Sequence, residues 1–346
     1  TSMEELRTLA KQLFKLFAVV FVLVGIVFIL LLTYEPKPEA YVPIVTEEIA
    51  AKDIWKPKDA MAELSSMPDK VKKGYYLIAE TSKFMGPHAE NPKDRYSGNN
   101  LACANCHLQK GAQAGSGSWV GVIERFPQFG GRGNKVGTIE DRINGCMERS
   151  MNGKVLPVDS NKMEAIVAYM NWLGEGLPEN RKAEFKGYPN IEIPNVEVDL
   201  EKGSQVYKKE CIICHGENGA GILNVDGKSY TYPPLWGPDS FNDGAGMNRV
   251  ITSAEFIKSN MPYLQATWDK PKLTDEEAYH VAGYINSFSR PHKLYAEKDY
   301  PDKKLKPVST PYGPWVDDFS PEQHKYGPFP PIMEYYKKEY GITKTK

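Results

Sequence analysis

Two copies of one five-residue pattern constrain this chain more than anything else in it: Cys103-Ala104-Asn105-Cys106-His107 and Cys211-Ile212-Ile213-Cys214-His215. A Cys-x-x-Cys-His turn sets two sulfurs under one edge of a porphyrin and aims the next imidazole at its centre, which is how c-type haem is attached. A zinc half-site or a thioredoxin-like redox pair shares the cysteines but needs neither histidine, and a zinc site requires the two pairs to converge. The expectation is two covalently bound haems c, on Cys103 and Cys106 and on Cys211 and Cys214, with His107 and His215 as proximal iron ligands. Such attachment is an extracytoplasmic chemistry, so the folded part belongs outside the cytoplasm. Lysine plus arginine (43) nearly balance aspartate plus glutamate (44), with no basic block, which argues against a nucleic-acid partner.

Leu16 to Leu32 is an unbroken apolar run that with Leu13 and Phe14 reaches about 20 residues, enough for a hydrocarbon core of ~30 Å. Arg7, Lys11 and Lys15 precede it, which places the N-terminus in the cytoplasm. A cleavable signal peptide has a shorter apolar core and a small-residue cleavage site, whereas Tyr34, Glu35 and Pro36 follow here. The expected organisation is a transmembrane anchor over 1–33 and a linker over 34–70. A haem domain over 71–176 follows, then an interdomain linker over 177–200 and a second haem domain over 201–290. A proline- and aromatic-rich strap over 291–346 ends the chain. The haem units open similarly, at Lys73-Gly74-Tyr75 and Lys202-Gly203-Ser204. They close on amphipathic helical patterns, AIVAYMNWL at 165–173 and AYHVAGYINSF at 278–288. The predicted fold is all-α, two tandem class I cytochrome c domains behind one N-terminal transmembrane helix. Disordered tails are poor in aromatics, so Tyr312, Trp315, Phe319, Tyr326 and Phe329 predict an ordered strap lying across the haem domains.

Each haem iron has a second axial position, usually filled in class I domains by a methionine on a later loop. Asn260-Met261-Pro262 has that form, with Met247 and His280 as rivals. In the first unit the equivalent position is held by Cys146, the fifth and unpaired cysteine, in RINGCMERSMNGK. A free cysteine often behaves as a small buried hydrophobe, but a free thiol in an oxidising compartment is a liability. Spacing alone leaves ligation and simple burial open.

The motifs NNLACANCHLQKG, WVGV…FPQF, RINGCMERSMNGK, LPVDSNKMEAIVAYMNWL, FNDGAGMNR…FIKSNMP and RPHK…KPVSTPYGP…SPEQHKYGPFPPI resemble the dihaem thiosulfate dehydrogenase family, in order, from about Lys73 to Ile332. The resemblance implies oxidation of two thiosulfates to tetrathionate, or the reverse. It implies His107 and Cys146 on the catalytic iron and His215 and Met261 on a second iron that passes electrons outward. Two features set the chain apart: the membrane anchor, and Met147 where the family often has an aromatic residue after the ligand cysteine.

Thiosulfate is a dianion, and arginine offers a planar fork of donors for oxyanions. Arg142 and Ser150 lie four residues either side of Cys146, on one face if the segment is helical; they are the leading substrate residues, with Arg132 next and Arg149 after it. The alternative roles for these arginines are surface charge or haem propionate pairing. Because a thiolate ligand lowers haem potential, Cys146 is expected to leave the iron during turnover and form a transient adduct with thiosulfate. The expected partners are the membrane, thiosulfate or tetrathionate, and a redox protein such as a soluble cytochrome, a quinol-oxidising complex or a terminal oxidase. The expected location is the bacterial inner membrane, with the haem domains on the periplasmic side. The alternative is a non-catalytic dihaem electron-transfer subunit of a respiratory complex. A dihaem peroxidase has no supporting motif.

Overall fold

The computed structural model describes residues 2–33 and 55–346, in two compact units divided at Ile54/Trp55. The first 21 positions of the expected linker, 34–54, lie outside the described residues. Among its described residues the first unit forms one helix, α1 (Met3–Thr33), whose 31 residues span roughly 46 Å at 1.5 Å per residue. Glu4 and Glu5 sit in its first turn, where the helix dipole favours negative charge. It is the one helix among the described residues long and apolar enough to cross a membrane.

The second unit is helical, as the sequence predicts. Its strands among the described residues form two small antiparallel ribbons: β1 (Gln128–Gly130) with β2 (Lys135–Gly137), and β3 (Ile222–Leu223) with β4 (Tyr230–Tyr232). The first haem motif is enclosed by α2 (Asp69–Ala79), α3 (Thr81–Met85), α4 (Ile139–Arg149) and α5 (Asn161–Gly174). The second is enclosed by α6 (Leu200–Glu210), α7 (Ile212–His215), α8 (Val250–Asn260) and α9 (Asp275–Ser287).

Both domains close by one device. In the first, α2 crosses α5 with Gly74 against the Ala165 carbonyl, and a methyl group there would overlap that oxygen and stand 2.7 Å from Tyr169 Cβ. In the second, α6 crosses α9 with Gly203 against the His280 carbonyl, and a methyl would stand 2.7 Å from Tyr284 Cβ. The Lys-Gly pairs that open each unit in the sequence are thus the points where first and last helices touch. Local signals start and stop these helices. Ser160 accepts from the Met163 amide to begin α5, and Thr274 and Glu277 form a reciprocal cap on α9. The first core gathers Ile78, Met85, Met163, Tyr169 and Leu173, and the second Tyr207, Ile251, Tyr279 and Val281, all essentially inaccessible. Each such side chain contributes about 1.5–3 kcal/mol by leaving water.

The segment 177–200 is woven into both cores: Phe185 is buried in the first, Ile191 and Val198 in the second. The strap is ordered and carries α10 (Pro321–Tyr326) and α11 (Pro330–Tyr340). Phe329, Ile332 and Tyr336 complete the second core. The Val198 amide donates to the Tyr326 carbonyl at 2.8 Å. Further back the strap reaches the first domain, where the Tyr300 amide donates to the Arg132 carbonyl at 2.8 Å. Of the aromatics expected to order it, Phe329 is buried and Tyr312, Trp315, Phe319 and Tyr326 are half-buried.

Candidate functional site

The first Cys-x-x-Cys-His segment is a tight turn, closed by the His107 amide donating to the Cys103 carbonyl at 3.0 Å. Cys103, Cys106 and His107 line a cavity of about 310 Å³ walled by Ile78, Trp119, Ile143 and Met147. His107 Nδ1 is 2.8 Å from the Gly117 carbonyl oxygen. That oxygen only accepts, so Nδ1 carries the proton and Nε2 keeps its lone pair, the form that binds a metal. The second motif repeats this: His215 Nδ1 is 2.8 Å from the Pro233 carbonyl, and burial lowers the His215 pKa, keeping the ring neutral. Cys211, Cys214 and His215 line a larger cavity of about 940 Å³. Paired sulfurs, an imidazole with a free lone pair and apolar walls fit a c-type haem in both clefts.

Cys146 belongs to the first cleft. Thr138 and Asp141 cap the start of α4, and Arg142, Cys146 and Ser150 follow at successive turns, all three on the cavity wall. The Arg142 guanidinium donates to Cys146 Sγ at 3.3 Å. Burial alone would raise the Cys146 pKa, but the Arg142 charge, the adjoining His107 ring and the charge of Arg132 outweigh it and pull the thiol down to about 6. Burial instead pushes Cys103 up to about 11 and Cys106 to about 12. Three cysteine sulfurs share one cavity, and Cys146 is the one the surroundings hold as a thiolate near neutral pH.

Arg132 and Arg149 do not line this cavity. Arg149 donates to Asp299 Oδ1 at 2.6 Å, and Arg132 to Asp299 Oδ2 at 3.4 Å and the Gly244 carbonyl at 2.9 Å. The Tyr312 hydroxyl donates to Asp299 Oδ2 at 2.9 Å. Both arginines are therefore engaged by the strap, although the charge of Arg132 still reaches Cys146. Sequence reasoning did not single out Arg125, Gln128, Lys186 and Tyr188, which line the cavity from the loop ahead of β1, from β1 and from the 177–200 segment. Only proximity in the fold groups them, so no spacing could reveal them.

In the second cleft Met261 lines the wall, and Met247 lines both clefts. Phe241 also lines both, so the two clefts adjoin. His280 is turned away: its Nδ1 accepts from the Asp199 amide at 3.0 Å and its Nε2 lies 3.3 Å from Glu276.

Residues 93–178 match the SoxA/TsdA cytochrome c domain and residues 200–289 match cytochrome c. A thiosulfate dehydrogenase of Stutzerimonas stutzeri is 37% identical over 235 residues, 68% of this chain and 70% of that protein. The chain belongs to the thiosulfate dehydrogenase family. A second member, from Allochromatium vinosum, is 43% identical over 200 residues, 57% of this chain and 72% of its own. Among solved structures, the thiosulfate dehydrogenase (TsdBA) of Marichromatium purpuratum in its as-isolated form superposes with a TM-score of 0.60 at 34% identity. That match covers 71% of this chain and 51% of the solved one, so the chain spans about half the length of that relative. As a family member the protein is an oxidoreductase with two covalently bound c-type haems.

Proposed function

We propose that this protein is a membrane-tethered thiosulfate dehydrogenase that couples two thiosulfates into tetrathionate, or runs the reverse, at the first cleft. One observation carries the reading: a half-buried sulfur, Cys146, shares a cavity with the Cys103/Cys106/His107 motif and takes a 3.3 Å hydrogen bond from Arg142. His107 and Cys146 would hold the first iron, and His215 and Met261 the second. When bound, the two haems supply acceptors for one electron each.

The chain's own residues do the rest. The Arg142 guanidinium neutralises a sulfonate and presents the outer sulfur of thiosulfate to Cys146, with the Ser150 hydroxyl donating to a sulfonate oxygen. A sulfur–sulfur bond forms between the Cys146 thiolate and that outer sulfur as two electrons leave. A second thiosulfate then attacks the outer sulfur of the adduct. The Cys146–sulfur bond breaks, the thiolate is regenerated and tetrathionate departs; no proton is consumed. Arg132, held by Asp299, supplies background positive charge to the same region.

The tether reading rests on α1, where no residue is buried among the described ones and an apolar run follows Arg7, Lys11 and Lys15. It places the haem domains on the periplasmic face of the inner membrane, delivering electrons to a respiratory partner such as a soluble cytochrome or a membrane complex. The deciding experiment mixes purified, haem-loaded protein with thiosulfate, and separately the reduced protein with tetrathionate, follows haem redox state and product formation, then repeats both with Cys146→Gly. Reduction and product in the wild type, lost in the variant with both haems retained, support the reading. A wild type inert to both sulfur compounds removes it and leaves an electron carrier.

A further inference from the structure

Asn260 is the last residue of α8 and is wholly buried. Its next neighbour is Met261, on the wall of the second cleft. Its side chain points the other way, into the first haem domain. Asn260 Nδ2 donates to the Gly115 carbonyl at 2.9 Å, and Oδ1 accepts from Gln113 Nε2 at 2.9 Å. The second Nδ2 hydrogen closes back on the Phe256 carbonyl at 2.9 Å. Each donor of this buried amide has a partner, and its oxygen has one.

The loop it grips is the one that supplies the carbonyl for His107. Two residues beyond Gly115, the Gly117 oxygen meets His107 Nδ1 at 2.8 Å. The loop has little freedom between those points. Gly115 and Gly117 both stand at positive φ, +69° and +64°, and Trp268, on the segment that follows Met261, packs onto Gly115. The buried Ser116 hydroxyl donates to the Gln113 carbonyl at 2.8 Å, and the Gly117 amide donates to the Gly187 carbonyl at 3.0 Å. Asn260 therefore takes hold of two residues, Gln113 and Gly115, of a short stiff arm whose far end, also held by Gly187, sets the imidazole.

We propose that Asn260 is a positioning residue that couples the two haem centres: the end of α8 that delivers Met261 to the second cleft also fixes the strength of the His107–Gly117 hydrogen bond in the first. A stronger bond at Nδ1 makes the imidazole a better electron donor to iron and lowers the haem potential; a weaker one raises it. A shift of Met261 along its cleft moves Asn260 with it and so adjusts the driving force at the first haem. The proposal rests on the ligand assignments given under Proposed function.

The test is potentiometry with each haem followed separately, together with the low-spin electron paramagnetic resonance signal of the first haem, in Asn260→Leu and, at the half-buried end of the same contact, Gln113→Leu. At a fixed ambient potential the reduced-to-oxidised ratio of the first haem is expected to rise about tenfold in Asn260→Leu, with its resonance altered, and to move in the same direction but less in Gln113→Leu. If Asn260→Leu does not fold with two haems, the Gln113→Leu result decides alone. A first haem unchanged in ratio and resonance in the folded variant overturns the coupling, even where the second haem responds. Met261→Leu, measured alongside, checks the ligand reading separately: an unaltered second-haem spectrum would remove that assignment without erasing a response of the first haem to Asn260.

Discussion

Arg142 and Cys146 stand one helical turn apart on α4, and the guanidinium donates to the sulfur at 3.3 Å, so the residue that would receive a sulfonate is also the one that holds the thiolate. Replacing Arg142 by glutamine removes both contributions. A hydrogen bond to a charged group is worth about 1.5–3 kcal/mol, so kcat/KM for thiosulfate is expected to fall roughly 10- to 100-fold. Haem content, measured by the pyridine haemochrome spectrum, should not change, because Arg142 touches neither attachment cysteine.

Asp299 makes the opposite kind of contact, a structural one across the fold. Its carboxylate is nearly inaccessible, binds Arg149 at 2.6 Å and accepts from Tyr312 at 2.9 Å. Asp299→Ala leaves the half-buried Arg149 guanidinium without its closest counter-charge, with only Glu148 at 3.7 Å remaining, and should lower unfolding free energy by about 3 kcal/mol in urea titrations. The exposed pair Lys83–Glu80 serves as the control, and Lys83→Ala should leave the urea midpoint where it was.

The two helix crossings predict a matched result in each domain. Gly74→Ala puts a methyl against the Ala165 carbonyl and Gly203→Ala puts one against the His280 carbonyl. Both contacts are backbone to backbone and cannot relax by a rotamer change. Each substitution should cost about 3 kcal/mol. Gly74→Ala should broaden the spectrum of the first haem and Gly203→Ala that of the second, each leaving the other sharp.

Lys306 gives a pH dependence with a definite sign. It is buried and, among the described residues, donates only to the carbonyls of Tyr312 at 2.9 Å and Pro314 at 2.8 Å, and burial, with Lys303 nearby, lowers its pKa to about 8. An unfolded lysine titrates near ~10.4. Between those values the unfolded chain binds a proton that the folded chain has released, so the contribution of Lys306 to stability increases with pH across that window. Below about pH 8 the folded state bears the full cost of the buried ammonium. Urea midpoints of the wild type relative to Lys306→Met should therefore rise between pH 8 and pH 10; a flat difference would refute the assignment.

The sequence revealed what is governed by local chemistry. A covalent attachment motif lies within five residues, an amphipathic helix repeats every turn, and the Arg142, Cys146, Ser150 face follows from a spacing of four once the segment is helical. Asp299 was invisible because its partners, Arg132 and Arg149, lie 167 and 150 residues away. Nothing in either local stretch marks the pairing. Lys186 and Tyr188 were hidden for a second reason: the prolines around them read as a spacer, while the fold uses that spacer as a wall of the cleft. Asn260 looked like the residue before a methionine, and its reach into the other domain could only be seen in three dimensions.

The clamp on Asp299 also imposes a sequence of events on biogenesis. Arg149 leaves the ribosome 150 residues ahead of the carboxylate that will hold it. At roughly 5–20 residues per second that interval lasts about 8–30 s. Both attachment motifs have been synthesised before the strap exists to brace the arginines. Until residue 299 has been made, the first domain lacks the carboxylate that braces its two arginines, so the strap is the last part of the fold to close over it.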